Sequence, residues 1–165
     1  MTSSHPIAWV EKDPAGHFRL RNMPSLMAGA IEQLPDLLDP AAPGIRDRIA
    51  GTPYPGDEEG SRHWEKYGAP ELAHLFQSAR EVVAEDVRGL MADGHGAKIT
   101  IPPGHMDAWL SALSAARLGL ADAHRLGAAQ LEAPLPGEIR TKRQKALYLI
   151  HILGWVQGML LEAGA

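Results

Sequence analysis

The longest apolar run of the chain lies near its C-terminus, within residues 141–162. From residue 146 to residue 161 the sequence reads ALYLIHILGWVQGMLL, interrupted only by His151, Gly154, Gln157 and Gly158. A helix that is apolar on all sides has to be surrounded by protein. Thr141, followed three residues later by Gln144, has the form of a capping box that begins a helix. The pattern predicts a buried C-terminal helix around which the other segments pack.

The same run also has some properties of a membrane anchor. About 17–25 apolar residues span a bilayer, and basic residues flank the near end of this run as they flank many membrane segments. The run is short, however, and it contains His and Gln. The other segments carry apolar stripes that need a partner in the core. We therefore expect burial in a soluble core and no membrane association.

Two alternating segments near the N-terminus predict a β-hairpin. Residues 7–12 and 17–22 flank Asp13-Pro14-Ala15-Gly16, which has the residue preferences of a type I turn. Alternation places Ile7 and Trp9 on one side of the first strand, and Phe18 and Leu20 on one side of the second. Because two strands alone are marginally stable in water, residues 98–101 are predicted to add a third.

Three-four spacing of apolar residues predicts helices along the rest of the chain. One helix begins at Ser25 and runs to about residue 38, with a kink or break at Pro35. Short helices are predicted at residues 45–50 and from Asp57 to about residue 67. Long helices are predicted over residues 71–93, ended by Gly94, and from residue 102 to about residue 126.

Small residues predict a close contact between the last two long helices. Ala112 and Gly119 belong to a ridge of small side chains on one helix, and Gly154 and Gly158 offer a matching groove on the other. Together these patterns predict a predominantly helical α+β fold. A helical bundle would surround the buried C-terminal helix, with a small antiparallel sheet made of the hairpin plus one strand.

Length and composition favour a single soluble domain spanning residues 1–165. A chain of 165 residues without cysteine fits one domain in a reducing compartment. Its first residues show no charged region followed by an apolar run, so no signal peptide is expected and the predicted location is the cytoplasm. A net charge of −4 gives no electrostatic footprint for nucleic acid, and no nucleic-acid partner is expected.

Short motifs on the two closing helices point to a known family. They are Trp109-Leu110, Ala112-Leu113, Arg117-Leu118 and Leu153-Gly154-Trp155-Val156-Gln157, preceded upstream by Pro53-Tyr54-Pro55-Gly56-Asp57. This set resembles the bacterial family DUF2017. The family is of unknown function, occurs largely in actinobacteria and is often encoded near the adaptor of the Clp protease, so the resemblance implies a link with protein turnover. The chain departs from the family pattern at Ser114-Ala115, where the family has Asn-Asp, and at Gly158, where an acidic residue is frequent.

Polar residues within the two closing helices are the first candidate site. Arg117 lies beside the apolar face of its helix, and His151 and Gln157 interrupt the last one. Because a buried polar group without a partner costs about 1–3 kcal/mol, these residues are predicted to form a structural network between the helices. Alternatively, Trp109 and Trp155 wall a pocket in which Arg117 binds a carboxylate or phosphate.

A basic segment at the start of the last helix is the second candidate site. Cations are disfavoured at a helix N-terminus, so acidic groups are expected to offset this cluster. Asp57, Glu58 and Glu59 are available for surface pairing. Alternatively, the segment binds an anion, which the unpaired N–H groups of the helix would also attract. The cluster consists of Arg140, Lys142, Arg143 and Lys145.

The remaining residues show no recognisable catalytic or metal-binding motif. The eight histidines have no ligand spacing, so neither a metal nor a cofactor is expected. A G-x-S-x-G elbow, a Walker loop, a dinucleotide fingerprint and a catalytic cysteine are all absent from the sequence. The leading expectation is an uncharacterised non-catalytic interaction or regulatory protein. Its protein partner would belong to the Clp protease machinery, a link that follows from the resemblance alone.

Two further possibilities stay open. The alternative function is a small ligand-binding protein or enzyme with an interhelical anion-binding pocket around Arg117. In either case, Trp and Leu side chains left on the bundle surface would serve a homodimer.

Overall fold

A computed structural model describes residues 7–51 and 53–164, with the backbone alone for residues 49 and 50. The expectation that no signal peptide begins the chain concerns residues 1–6 and lies outside the described residues. The strands are β1 Trp9–Lys12, β2 Phe18–Met23, β3 Met91–Asp93 and β4 Gly96–Ile101. The helices are α1 Ser25–Leu37, α2 Pro43–Ala50, α3 Glu58–His63, α4 Ala69–Val87, α5 Met106–Ala123, α6 Ala128–Glu132 and α7 Lys142–Gly164. The predominantly helical α+β fold is confirmed.

The four strands form one antiparallel sheet in the order β1-β2-β4-β3. The predicted hairpin is confirmed, with Gly16 N donating to Asp13 O at 2.9 Å across its turn. The register pairs Val10 with Leu20 and Leu20 with Ile99, which places these side chains on the core face. Trp9 pairs with Arg21 on the opposite face and is 37% exposed. The side of β1 that carries Ile7 and Trp9 is therefore its outer side.

The sheet contains one strand more than the predicted three. The helix predicted over residues 71–93 ends at Val87, and the next residues form β3. Asp93 pairs with Gly96 across a two-residue loop, in which Gly94 has a φ of +63°. Glycine at the first loop position suits such a tight hairpin. Residues 91–93 form a strand because the edge of β4 offers them backbone hydrogen-bond partners. A helix prediction based on local spacing does not include such partners.

Two helical predictions near the middle of the chain are also corrected. The short helix from Asp57 does not stop near residue 67, because a π-helical turn, Trp64–Gly68, joins α3 directly to α4. The break predicted at Pro35 is absent, and α1 continues to Leu37. Pro35 lies in the last turn of α1. Few helical residues follow it, so a disturbance of the backbone hydrogen bonds there shortens the helix very little. The Pro35 carbonyl accepts a hydrogen bond from Arg80 Nε at 2.9 Å, which fastens the end of α1 to α4.

The C-terminal helix α7 contributes much of the core, as predicted, but it is not enclosed on every side. Thr141 and Gln144 form the predicted capping box, with Gln144 N donating to Thr141 Oγ1 at 3.1 Å and Thr141 N donating to Gln144 Oε1 at 3.1 Å. Trp155 and Leu161, however, are 59% and 54% exposed. The buried residues of α7 are Ala146, Leu147, Leu149, Ile150, Ile152, Leu153, Val156 and Leu160.

Within the described residues, α7 is the one helix long and apolar enough to cross a membrane. Of its most apolar window of 18 residues, 44% is buried inside the domain. Helices at the core of soluble proteins share this length and composition, so the structure is compatible with a soluble protein.

The chain path gives the helical bundle two distinct ends. Helices α4 and α5 flank the β3–β4 hairpin and pack against each other, so they are antiparallel, with the end of α4 and the start of α5 near the sheet. The C-terminal part of α7 lies near β1. The starts of α4 and α7 and the end of α5 therefore lie together at the end of the bundle away from the sheet, which we call the far end.

Helix α5 packs along α7 as predicted, but Gly119 of the predicted ridge of small residues contacts α2 instead of α7. A Cβ atom on Gly44 of α2 would lie 1.9 Å from the backbone oxygen of Gly119, so only glycine permits this approach. A Cβ atom added at Gly158 would have no neighbour within 4 Å. Gly154 faces the guanidinium of Arg117, whose Nη2 would lie 3.1 Å from an added Cβ. The space at Gly154 thus accommodates a polar side chain rather than a helix backbone.

Candidate functional site

Three polar side chains form a cluster in the seam between α5 and α7, which we call the Arg117 cluster: Arg117, Gln157 and Ser114. Arg117 Nη1 donates to Gln157 Oε1 at 2.9 Å, and Arg117 Nε donates to the carbonyl of Ile150 at 3.2 Å. Gln157 Nε2 donates to Ser114 Oγ at 2.7 Å. Each of these bonds crosses from one helix to the other, so the cluster ties the two closing helices together.

A cavity of about 260 Å³ lies beside the Arg117 cluster. Arg117 Nη2 has no hydrogen-bond acceptor among the described residues, but this nitrogen faces Gly154, which is not part of the cavity lining. Most of the wall is apolar, which makes the cavity suited to an amphipathic group rather than to a fully hydrated anion. The lining residues are Ser114, Arg117, Leu118, Ala121, Leu131 and Ile150.

The two tryptophans predicted to wall this pocket lie elsewhere. Trp109 is fully buried on the α4 side of α5, and Trp155 is exposed on the outside of α7. The cavity lining includes neither of them. His151 also stays outside the hydrogen-bonded cluster, because its buried Nε2 has no partner in the described part of the chain. Of the five residues predicted for this site, the structure joins Arg117 and Gln157 by hydrogen bonding.

Trp109 belongs to a second cluster, the Asp86 cluster: Asp86, His105 and Trp109. Asp86 Oδ2 accepts from Trp109 Nε1 at 2.8 Å and lies 2.8 Å from His105 Nδ1. The Asp86 side chain is 6% exposed and that of His105 is 29% exposed. The cluster joins the end of α4 to the start of α5, because the carboxylate precedes the β3–β4 hairpin in the chain and both of its donors follow it. The hydrogen bonds satisfy a carboxylate that would otherwise be costly to bury.

Our sequence reasoning missed the Asp86 cluster, although two signals for it were present. Asp86 follows the buried Val83 by three residues and precedes Leu90 by four, which places a carboxylate on the apolar side of the helix. Trp109 was predicted to lie between the closing helices, and a buried indole N–H needs an acceptor. These two requirements match each other, because Asp86 is the acceptor that Trp109 needs.

The basic segment at the start of α7 is less available for an anion than predicted. Arg140 donates to Glu138 Oε2 at 2.8 and 2.6 Å. Arg143 donates to the carbonyls of His124 and Arg125, at 3.2 and 3.0 Å, and so caps the end of α5. Asp57 does not offset this segment as predicted, because its carboxylate caps its own helix by accepting from Gly60 N at 2.9 Å. Lys142 stays exposed and has no side-chain partner among the described residues.

The chemistry available at these clusters is that of binding and positioning. A histidine held by a carboxylate is one half of a nucleophile-activating arrangement, which also needs a hydroxyl or thiol within hydrogen-bond reach. In the described ranges, His105 has Asp86 as its side-chain partner and contacts no such nucleophile. No group of three or more potential metal ligands was found there either. Both clusters act as ties between helices.

The outer face of α7 carries exposed apolar side chains on a helix whose other side is buried in the core. We use this name for Trp155, Gly158 and Leu161, which follow one another at three-residue spacing on the solvent side of the helix. Trp155 is 59% exposed, and Leu118 of the neighbouring α5 is 47% exposed. A Cβ atom added at Gly158 would have no neighbour within 4 Å, so this position is open. This face therefore offers apolar surface to another molecule.

A comparison with protein families identifies one match. The model of DUF2017, described as a domain of unknown function, matches residues 11–164, which is nearly the whole chain. No curated protein matches the chain significantly. No solved structure matches it significantly either.

Proposed function

The chain belongs to the DUF2017 family, and from this premise we propose that it is a non-catalytic interaction or regulatory protein whose outer face of α7 binds a protein partner. The proposed partner is a component of the Clp protease machinery in the cytoplasm. The choice of this partner follows from the family resemblance, through the gene neighbourhood of the family.

The exposure of Trp155 is the observation that carries the proposal. Within one helix, Val156 and Leu153 are fully buried, whereas the adjacent Trp155 is 59% exposed. Tryptophan is enriched among the residues that contribute most to protein–protein binding, because it covers a large area with little loss of side-chain freedom. A monomeric soluble domain gains nothing from presenting this side chain to water, so a partner surface explains its position better than the core does.

A pull-down with matched variants tests this proposal. Tagged wild-type protein, W155A and L26A are incubated with native lysate, and the captured proteins are identified by mass spectrometry. L26A is the control because Leu26 is 64% exposed on α1, away from the outer face of α7. We expect Clp components to be enriched by the wild type and L26A and to be lost with W155A.

Two outcomes would contradict the proposal. If no Clp component is enriched by the wild type, the partner is wrong. If Clp components are recovered equally with W155A, the outer face of α7 is not the binding surface. Unfolding curves of both variants show whether the fold is intact, and an exposed apolar truncation should change stability by less than about 1 kcal/mol.

The cavity beside Arg117 supports a second candidate function, a ligand-binding pocket for a carboxylate or phosphate. The Arg117 side chain in the cavity lining supports it, and the two hydrogen bonds already made by this guanidinium to the protein count against it. Calorimetric titration of wild type and R117L with inorganic phosphate tests the candidate. Binding by the wild type that R117L loses while remaining folded would support the pocket, and absence of wild-type binding would remove inorganic phosphate as a ligand.

A further inference from the structure

A helical arm extends from the bundle at its far end. We define the arm as residues 58–68, which comprise α3 and the π-helical turn that leads into α4. Neither element contains a buried residue. Eleven residues of helix extend about 16 Å, so the arm reaches beyond the packed helices. One side of the arm, which carries Trp64, is half-buried, and its other side is exposed and free to contact another molecule.

The arm is acidic at its start and aromatic near its end. Glu58 and Glu59 are exposed, and their side chains have no partner among the described residues. Tyr67 is 54% exposed and lies against His63, with ring centroids 4.8 Å apart. The arm therefore combines two carboxylates that have no ion-pair partner in the described part of the chain with exposed ring surface, and aromatic residues are enriched at protein interfaces.

The complementary charge lies at the same end of the molecule. Lys142 and Lys145 are exposed at the start of α7, and neither side chain has an ion-pair partner in the described ranges. Positive charge at a helix N-terminus is unfavourable because of the helix dipole. Arg140 and Arg143 are engaged by Glu138 and by the end of α5, so the two lysines are the part of the basic segment left without compensation.

We propose that the far end is a self-association surface, on which Glu58 and Glu59 of one copy contact Lys142 and Lys145 of a second copy. A two-fold axis needs a patch that is complementary to itself. The far end meets this condition, because it carries both the acidic arm and the basic start of α7. Each copy would supply its arm to the other, so that the charge contact is made twice. This surface is separate from the outer face of α7.

Sedimentation analysis of the wild type gives the first test. We expect a dimer at low ionic strength whose dissociation constant rises at least tenfold between about 50 and 500 mM NaCl, because salt screens exposed charge pairs. A wild-type protein that stays monomeric at about 100 μM in low salt would overturn the proposal, because the proposed charge contacts are least screened under that condition.

Charge reversal gives the decisive test. E58K/E59K has a basic arm and a basic α7 start, and K142E/K145E has an acidic arm and an acidic α7 start. Each variant alone should weaken self-association at least tenfold, because both of its contacts become repulsive. Mixed together, the two variants should form a heterodimer, because both contacts are then complementary. Such a rescue also shows that the variants are folded.

A matched control distinguishes the effect of this surface from the effect of a changed net charge. E32K/E85K makes the same change in net charge at two exposed glutamates, on α1 and near the sheet end of α4. It should dimerise like the wild type. The proposal is overturned if this control dissociates as much as E58K/E59K, if the mixed variants stay monomeric, or if W155A dissociates the dimer while both reversals leave it intact.

Discussion

Helix α5 is held by two polar clusters that differ in how completely they are enclosed. On its α4 side, the Asp86 cluster places a carboxylate of 6% exposure between two donors. On its α7 side, the Arg117 cluster borders a cavity of about 260 Å³ and, within the described residues, keeps one guanidinium nitrogen free. The difference shows that polar clusters between helices can have different roles. A cluster that is closed and fully paired fixes geometry, whereas one beside a cavity has room for another group.

The largest effect is expected at Asp86. D86A removes the acceptor of both Trp109 Nε1 and His105 Nδ1, and an unsatisfied buried donor costs about 1–3 kcal/mol. We expect a loss of about 3 kcal/mol in the free energy of unfolding, measured by chemical denaturation, and a smaller loss for D86N, which retains an acceptor oxygen. A loss below about 1 kcal/mol in D86A would show that the enclosed cluster is not the stronger tie.

A smaller loss is expected at Arg117. R117L removes the hydrogen bonds to Gln157 Oε1 and to the Ile150 carbonyl, while leucine keeps part of the apolar contact. We expect a loss of about 2 kcal/mol in the same assay, since hydrogen bonds to charged groups contribute about 1.5–3 kcal/mol each and the adjoining cavity admits water. A larger loss in R117L than in D86A would contradict the inference that the more enclosed cluster contributes more to stability.

Substitutions at two glycines of α7 test the same comparison, with smaller expected changes in the free energy of unfolding. G158A should raise the free energy of unfolding by about 0.5–1 kcal/mol, because alanine is the better helix former and the site is open. G154A should gain less or lose stability, because its Cβ would lie 3.1 Å from Arg117 Nη2. In an R117L background both substitutions should become alike. Equal gains in the wild-type background would mean that Arg117 does not depend on Gly154.

The smallest effect is expected on the outer face of the sheet, where the Asp93 carboxylate is more exposed than that of Asp86. Arg21 donates to Asp93 at 2.8 and 3.0 Å, and this hydrogen bonding holds the pKa of Asp93 below its usual value. A carboxyl group whose pKa is lowered by folding stabilises the protein at pH values above its unfolded pKa of about 3.9. This contribution is lost as the pH falls toward the pKa of the folded state.

Thermal melts between pH 7 and pH 2.5 measure this contribution. D93N should be less stable than the wild type at pH 7, and the difference should shrink as the pH falls below about 4, because the wild-type carboxylate then becomes protonated. A difference between the two proteins that is constant across this pH range would exclude the ion pair as its cause.

Local patterns gave reliable predictions wherever neighbouring residues in the chain decide the structure. The hairpin turn at Asp13, the capping box of Thr141 and Gln144, and the helical spacing on α5 depend on residues within a few positions of each other. The same reasoning failed at residues 91–93, where the edge of β4 stabilises a strand, and at Gly119, whose partner lies on α2. Partners that are distant in sequence decided both of these features.

The candidate site divides in the same way. The sequence alone determined that the chain folds into a predominantly helical α+β structure with an apolar C-terminal helix, because burial of that much apolar surface is required whatever the chain path. The tertiary structure decided which polar residues meet, pairing Arg117 with Gln157, Asp86 with Trp109, and leaving Trp155 outside. The elements that pack around α7 decide which of its sides faces solvent, and the sequence of α7 alone does not identify those elements.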